Sequence, residues 1–336
     1  MRPLALAGRR LGEGQPCLVG AHVGHAHEGS ADAALRLIDA AFQAGADAIV
    51  FSIVRTEELV VRRHPARRAL EQMELPERQW RRVLEAARGS GLALIAEALD
   101  RSSRDIALAA GVDALQSHPA DVDHPSLLRA LAETDRPLLL AAGAAAEPEL
   151  RARLSALGPQ LALLLGPVEA PAPVEELRLG DLSLLRERLQ VEVGLLDPTD
   201  GGSAFALLVP ALAAAQGACL VEKRLVLDRA RRTPESAAAL SPEEFHRMVE
   251  LLRQAESARG ETGALRAAGE RPGGRSIVAA GLIARGEVLT LECLRFKRTD
   301  DRGGRGLPPT DAARVIGRRA ARPIQADEPI REDMLE

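Results

Sequence analysis

The chain has 336 residues, 46% of them apolar and 2% aromatic, and a formal net charge of −4. That length suits one large domain or two. The negative balance and the scarcity of aromatic rings for base stacking exclude a nucleic-acid-binding face. Arginine supplies nearly all the positive charge, because Lys223 and Lys297 are the only lysines. Cys17, Cys219 and Cys293 are odd in number and far apart. They form neither a disulfide framework nor a metal-ligand spacing, which fits a reducing cytoplasm. No apolar run free of charge reaches the ~18–20 residues that a membrane span needs. The N-terminal "MRPLALAGRRLGEGQP" lacks a small-residue cleavage pattern and reads as a leading arm, not a signal peptide.

Short apolar runs then alternate with longer amphipathic segments. "PCLVGA" predicts a strand. "SADAALRLIDAAFQAG" has apolar residues at helical spacing, with Ser30 placed to cap it and Gly45 to stop it. "ADAIVFSI" predicts a strand and "PERQWRRVLEAARGSG" a helix ending in glycine. The alternation continues through "LALIAEAL", "SSRDIALAAG", "VDALQS", "HPSLLRALAETD", "PLLLAAG", "EPELRARLSALG", "QLALLLG", "LSLLRERL" and "VEVGLLD". "AFALLVPALAAAQG" predicts a helix, "ACLVEKRLVL" a strand, and "SPEEFHRMVELLRQAESA" a capped helix. About eight buried strands separated by helices over ~250 residues imply a parallel sheet closed into a (β/α)8 TIM barrel. An open doubly wound sheet is the alternative, but no Gly-x-Gly-x-x-Gly turn follows the first strand to support a dinucleotide site.

The barrel is expected over residues 1–257. Residues 258–274, "ARGETGALRAAGERPGG", are polar, Gly-rich and without period, and read as a linker. Residues 275–336 combine short alternating strands, glycine turns and one brief helix, which predicts a small β-rich domain.

Several stretches carry a resemblance. "PCLVGAHVGHAHEGS" falls on P-C-F-I-I-A-E-I-G-x-N-H-x-G-S, "LIDAAFQAGADAIVF" on L-I-D-A-A-x-x-A-G-A-D-A-V-K-F, and "VEKRLVLDR" on I-E-K-H-F-T-L-D-R. "LSPEEFHRMVE" falls on the helix that follows. "RSIVAAGLIARGEVLTLECLRFKR" and "IGRRAARPIQADEPI" match the start and end of an antifreeze-like SAF domain. In this order and spacing the chain resembles the sialic acid (nonulosonic acid) synthase family along its whole length. The resemblance implies a barrel followed by a SAF domain, and condensation of phosphoenolpyruvate with an N-acetylated amino sugar. It implies a divalent metal, manganese or magnesium. It also implies a swapped dimer in which each SAF domain covers the partner's barrel mouth.

Carried over by position, the family's chemistry is largely substituted. The first-strand glutamate falls on His22 and the asparagine beside the family histidine on Ala26, while that histidine is kept as His27. The two phosphate-binding lysines fall on Val50 and Gln116. The threonine after the third strand falls near Ala96 and Glu97, the serine of S-T-G-M on Ala141, and the asparagine after the sixth strand on Arg178. The two metal histidines fall on Pro198 and Arg224, although the acid before the first is kept as Asp197. The sugar-contacting aspartate becomes Glu235 and the neighbouring lysine Ala237. Proline offers no ligand atom, valine leaves a phosphate dianion uncompensated, and a like-charge contact between arginine and a cation costs ~1–4 kcal/mol. Gly24, Gly29, Glu222, Lys223, Asp228 and Arg229 are nevertheless kept. An intact scaffold with a substituted site is the pattern of a pseudoenzyme.

Three features stay open on sequence grounds. His22, His25 and His27, with His118 and His124 and the nearby Asp121 and Asp123, would form a relocated metal site, or would be polar loop residues beside an inherited His27. Arg178 and Arg224 would point into the mouth and grip a different anion, or would pair with an acid such as Glu97 or Asp197. Arg298 would reach a partner's site from the SAF domain, or would lie on the surface. The family's catalytic positions are therefore held by His22, His27 and Asp197. The candidate ligand-binding residues are Arg178, Glu222, Arg224, Glu235 and Arg298. The expected function is a non-catalytic structural or regulatory member of surface-glycan biosynthesis, as a homodimer or beside an intact paralogue. The alternatives are an enzyme or anion-binding protein with changed chemistry, and an active synthase with unusual ligands.

Overall fold

The computed structural model describes residues 4–12, 14–143, 147–231, 233, 235–260, 274–299 and 306–336. The chain divides into two compact units, Met1–Thr262 and Gly263–Glu336.

The first unit opens with a two-stranded hairpin, β1 (Ala5–Leu6) and β2 (Arg9–Arg10). The stretch read as a leading arm turns at Ala7 and Gly8, which both have positive φ, 48° and 78°. Leu4, Leu6 and Leu11 are buried against Leu18, Val50, Ile95 and Leu164, so the hairpin region packs on the barrel's inner core.

The chain then runs through β3 (Leu18–Gly24), α1 (Ala31–Gln43) and β4 (Ala48–Ile53). Ser30 caps α1 by accepting from Ala33 N at 3.2 Å, and Ala34, Leu37, Ile38 and Ala41 form its buried stripe. After β4 come two short helices that the sequence pattern did not announce, α2 (Thr56–Leu59) and α3 (Arg67–Met73). The alternation resumes with α4 (Glu77–Gly89), β5 (Ala93–Ala98), α5 (Arg101–Ala110), β6 (Ala114–Gln116), α6 (Pro125–Ala132) and β7 (Leu138–Ala141). It ends with α7 (Glu147–Leu157), β8 (Leu161–Leu165), α8 (Asp181–Leu189), β9 (Glu192–Asp197), α9 (Val209–Ala215), β10 (Leu220–Leu225), β11 (Ala239–Leu240) and α10 (Pro242–Arg259).

Among the described residues, eight parallel strands, β3 to β10, pair in chain order, and β10 pairs with both β9 and β3. The sheet is closed, which rules out the open doubly wound alternative. β11 pairs with the C-terminal end of β10, beyond the last β9 partner at Lys223, with Arg224 opposite Ala239. α10 extends to Arg259, two residues into the stretch read as linker, and its last turn is tied by Arg259 Nη1 donating to Ala214 O at 3.0 Å. Residues 261–273 of that stretch lie outside the described residues.

Side chains alternate across each strand. Val19, Ile49, Phe51, Leu94, Leu163 and Val221 face the helices in the larger core. Leu18, Val50, Ile95, Ala114, Leu164 and Leu220 fill the barrel interior. Two residues beyond the interior set, toward the C-terminal ends of the strands, the inward positions become polar: Ser52, Glu97, Gln116 and Glu222. His22 lies opposite Val50 and Arg224 opposite His22 in the same registers.

The second unit pairs β12 (Arg275–Ala279) with β13 (Leu294–Arg298) in antiparallel register, Ile277 opposite Phe296. Single bridges join Ile283 to Ile324, Val288 to Arg319 and Ala320 to Leu335. A one-turn helix, α11 (Ala312–Val315), completes it. Its own core gathers Ile277, Leu289, Leu294, Ile324, Ile330 and Met334.

Candidate functional site

At the C-terminal ends of the barrel strands lies a cavity of about 300 Å³ whose polar lining includes His22, Ser52, Glu97, Asp197, Glu222 and Arg224. Active sites of such barrels occupy this face. Leu59 of the short α2 and Pro119, Ala120 and Asp121 of the loop after β6 form part of its rim.

His22 occupies the centre of the polar layer. Its Nδ1 lies 2.9 Å from Glu222 Oε2. Its Nε2 lies 3.4 Å from Ser52 Oγ and 3.8 Å from Glu97 Oε2. Ser52 Oγ donates to Glu97 Oε2 at 2.5 Å, and Gln116 Nε2 donates to Glu222 Oε2 at 3.1 Å. Burial resists ionisation of Glu97, but His22, His118 and the Ser52 hydroxyl outweigh it and hold the carboxyl below its usual value. The other Glu222 oxygen, Oε1, has no hydrogen-bond partner among the described residues, although the side chain is only 1% exposed. Ser52 was not singled out from the sequence. The signal that finds it is the strand alternation, which places it two residues beyond the inward Val50.

A second arrangement sits beside the first. Arg224 Nη1 pairs with Glu235 Oε2. Glu235 Oε1 also accepts from His25 N at 3.3 Å and lies 3.7 Å from His25 Nδ1. Pairing of β11 with β10 at Arg224 returns the chain to the mouth and brings Glu235 with it. Gly24 makes room: with φ +53°, a Cβ there would come within 2.9 Å of Glu235 Oε1. Burial pulls the Arg224 pKa below the usual arginine value, against the favourable fields of Glu97 and Glu222. Burial likewise lowers that of His25.

The remaining candidates separate from this layer. Asp197 borders the cavity, but it serves as half of a structural pair. Its Oδ1 accepts from Thr199 N at 2.9 Å and Thr199 Oγ1 at 2.6 Å, and its Oδ2 lies 3.1 Å from Lys223 Nζ. Lys223 points away from the barrel interior and also donates to Thr199 O at 2.9 Å. Arg224 thus pairs with an acid, as the pairing reading expected, but the acid is Glu235 and not Glu97 or Asp197, because Lys223 already holds Asp197 and Ser52 holds Glu97. Arg178 does not enter the mouth. It is exposed beside a different cavity and pairs locally with Asp181, Nε to Oδ2 at 2.6 Å, at the start of α8.

The histidines do not gather into a metal site. His27 is buried edge-on against Trp80, ring centroids 5.4 Å apart, and its Nδ1 accepts from Gly29 N at 3.2 Å. Burial, aided by His25, lowers its pKa to about 4. His118 and His124 accept from Ala120 N and Leu127 N, both at 3.1 Å, and so cap the short helical turns that follow them. His118 still borders the cavity. Asp123 is exposed and pairs with Arg153. Among the described residues no three His, Cys, Asp or Glu side chains are arranged to hold a cation.

The divalent metal implied by the resemblance does not fit the residues at its expected positions. The Pro198 side chain has no donor atom, and the guanidinium of Arg224, ion-paired to Glu235, stands in the same cavity. Val50 is fully buried in the barrel interior where the first phosphate lysine was implied. Gln116 faces the layer but contributes an amide, not a charge. The arrangement can bind and orient a ligand through Glu97 and Glu222, and can pass a proton between His22 and its neighbours. In the second unit, Arg298 is exposed at the end of β13. The loop "DDRGGR" after it, residues 300–305, lies outside the described residues.

Among the described residues no helix is long and apolar enough to cross a membrane. A family model described as "NeuB family" matches residues 37–264, and one described as "SAF domain" matches residues 274–336. An uncharacterised protein of Methanocaldococcus jannaschii is 29% identical over 343 residues, covering 100% of this chain and 99% of that one. An N,N'-diacetyllegionaminic acid synthase of Legionella pneumophila is 25% identical and covers 94% of this chain and 93% of its own. Among solved structures, an N-acetylneuraminic acid synthetase of Leptospira borgpetersenii superposes with a TM-score of 0.74 at 22% identity. It covers 80% of this chain and 93% of its own, and it supports the barrel fold.

Proposed function

The chain belongs to the NeuB family, and from that membership we propose that it serves nonulosonate or surface-glycan synthesis without carrying out a metal-dependent condensation with phosphoenolpyruvate. The observation that carries this reading is the Arg224–Glu235 ion pair in the barrel mouth. A guanidinium engaged with a carboxylate offers no lone pair to a metal, and it places a fixed positive charge where a cation would sit. Pro198 on the same cavity wall removes the other expected ligand. The role that remains is structural or regulatory, as a homodimer or beside an intact relative, with Arg298 reaching the partner's barrel.

The test is a condensation assay on the full chain with phosphoenolpyruvate, manganese or magnesium, and N-acetylmannosamine, read as released phosphate. The proposal expects no release above the protein-free control. Sustained, metal-dependent release overturns it.

One observation favours a second reading, in which the mouth has acquired different chemistry. Glu222, His22, Ser52 and Glu97 form a continuous hydrogen-bonded or ion-paired chain across the cavity floor. A residue layer that served only as filler would gain more stability from apolar side chains, because buried charges carry a desolvation cost.

A further inference from the structure

The charge of the mouth is opposite to what a phosphate ligand requires. Glu97, Asp121, Asp197, Glu222 and Glu235 line the cavity, against the fixed cation Arg224. Lys223 compensates Asp197 from behind the wall, and Glu235 compensates Arg224. Glu97 and Glu222 flank His22 and feel the field of Arg224, but among the described residues neither is ion-paired to a lysine or arginine; the imidazoles of His25 and His118 are the other titratable groups on the lining. Burial holds Asp121 above its usual carboxyl value, so its charge is the more easily given up. Glu97 is held below its usual value and keeps its charge at neutral pH.

A second feature points at a ligand. Glu222 Oε1 is buried and has no partner among the described residues, while Oε2 of the same carboxylate receives both His22 and Gln116. A buried carboxylate oxygen left unpaired is costly, and a donor group arriving through the cavity satisfies it. At about 300 Å³ the cavity is at the small end of ligand sites, which run from about 300 to 1,000 Å³.

We propose that the barrel mouth binds a small, polar organic cation, a ligand of single-sugar size bearing a protonated amine, with the ammonium donating to Glu222 Oε1, and Glu97, across His22, adding to the negative field that attracts it. This rests on the reading that the mouth no longer serves phosphoenolpyruvate, and it names the ligand class that replaces it. An ammonium donates hydrogen bonds and carries the charge that these carboxylates attract, whereas an N-acetylated amine is neutral and a phosphate is repelled.

The experiment is calorimetric titration of the full chain at pH 7 with glucosamine and mannosamine, each against its N-acetylated counterpart, and separately with inorganic phosphate. The expected result is saturable binding of at least one free amine, at least about tenfold tighter than its acetylated partner, a difference of about 1.4 kcal/mol. Glu97→Gln should weaken that binding about tenfold while the fold persists by circular dichroism. If Glu97→Gln does not fold, the matched ligand pairs on the unaltered chain decide the matter. Equal affinity for the amine and its acetyl derivative, binding of neither, or tighter binding of phosphate overturns the proposal. None of these outcomes depends on phosphate release from phosphoenolpyruvate, so this proposal and the previous one fail separately.

Discussion

His22 and Glu222 face each other across neighbouring strands β3 and β10, Nδ1 to Oε2 at 2.9 Å. Glu97 lies on the far side of the same ring, 3.8 Å from Nε2. The imidazole therefore separates two buried carboxylates. Replacing it by the glutamate that the family resemblance implies at this position brings three carboxylates together. His22→Glu is expected to destabilise the first unit by about 1–4 kcal/mol, the range for a like-charge contact at ~4 Å between bulk-water and near-surface dielectrics. His22→Gln, which keeps a donor and adds no charge, is expected to cost less. Denaturant midpoints at constant m-value check both.

Lys223 and Asp197 form a fully buried pair behind the mouth, supported by Thr199. Removing one partner leaves an uncompensated charge, so Lys223→Met is expected to cost about 3–5 kcal/mol. Adding Asp197→Asn should recover a large part of that loss. A double-mutant cycle measures the coupling, and simple additivity would show that the pair carries no interaction of its own.

His27 has a folded-state pKa of about 4, against an ordinary value of 6.5. Below 6.5 the unfolded chain takes up a proton that the folded chain refuses. This site's contribution to stability is therefore present above pH 6.5 and falls as the pH drops from 6.5 to about 4. The full effect is about 3 kcal/mol, at about 1.4 kcal/mol per pKa unit. Burial lowers the His25 pKa in the same direction. His27→Phe, which keeps an edge contact with Trp80, should flatten the pH dependence in that window. Unfolding curves from pH 7 to 4.5 on both proteins provide the check.

Pro198 and Arg224 share one cavity wall. The combined substitution Pro198→His and Arg224→His places two imidazoles there and frees Glu235 from its pair. The double variant is expected to take up manganese, read by paramagnetic resonance of the free ion, under conditions where the unaltered chain takes up none. Uptake by the unaltered chain would mean that the guanidinium does not exclude a cation.

The barrel was legible because each strand is a short apolar run buried on both faces and each helix shows its stripe, as in Ala34, Leu37, Ile38 and Ala41. The closure followed from the number of such units, and β9–β10–β3 pairing provides it. The hairpin at Ala7 and Gly8 and the short helices α2 and α3 were not legible. They are too brief to show a period, and their positions depend on tertiary packing. Within the site, the resemblance drew attention to His22, Gln116, Arg224 and the neighbourhood of Glu97, and the structure places these residues at the mouth. Their partners were not legible, because pairing depends on which face each residue occupies. Asp197 and Lys223 face outward and find each other, and Arg178 meets Asp181 three residues away before it can reach the mouth. Ser52 was hidden within the apolar run "AIVFSI", where a small hydroxyl does not interrupt the pattern.

We propose that the barrel mouth binds neither phosphoenolpyruvate nor the metal that would serve it. Calorimetric titration of phosphoenolpyruvate into the full chain, with manganese held at a saturating millimolar level, tests it most directly. No heat beyond dilution is expected, because Val50 and Gln116 supply no charge and Glu97 and Glu222 repel the anion. Saturable micromolar binding that requires manganese would contradict it.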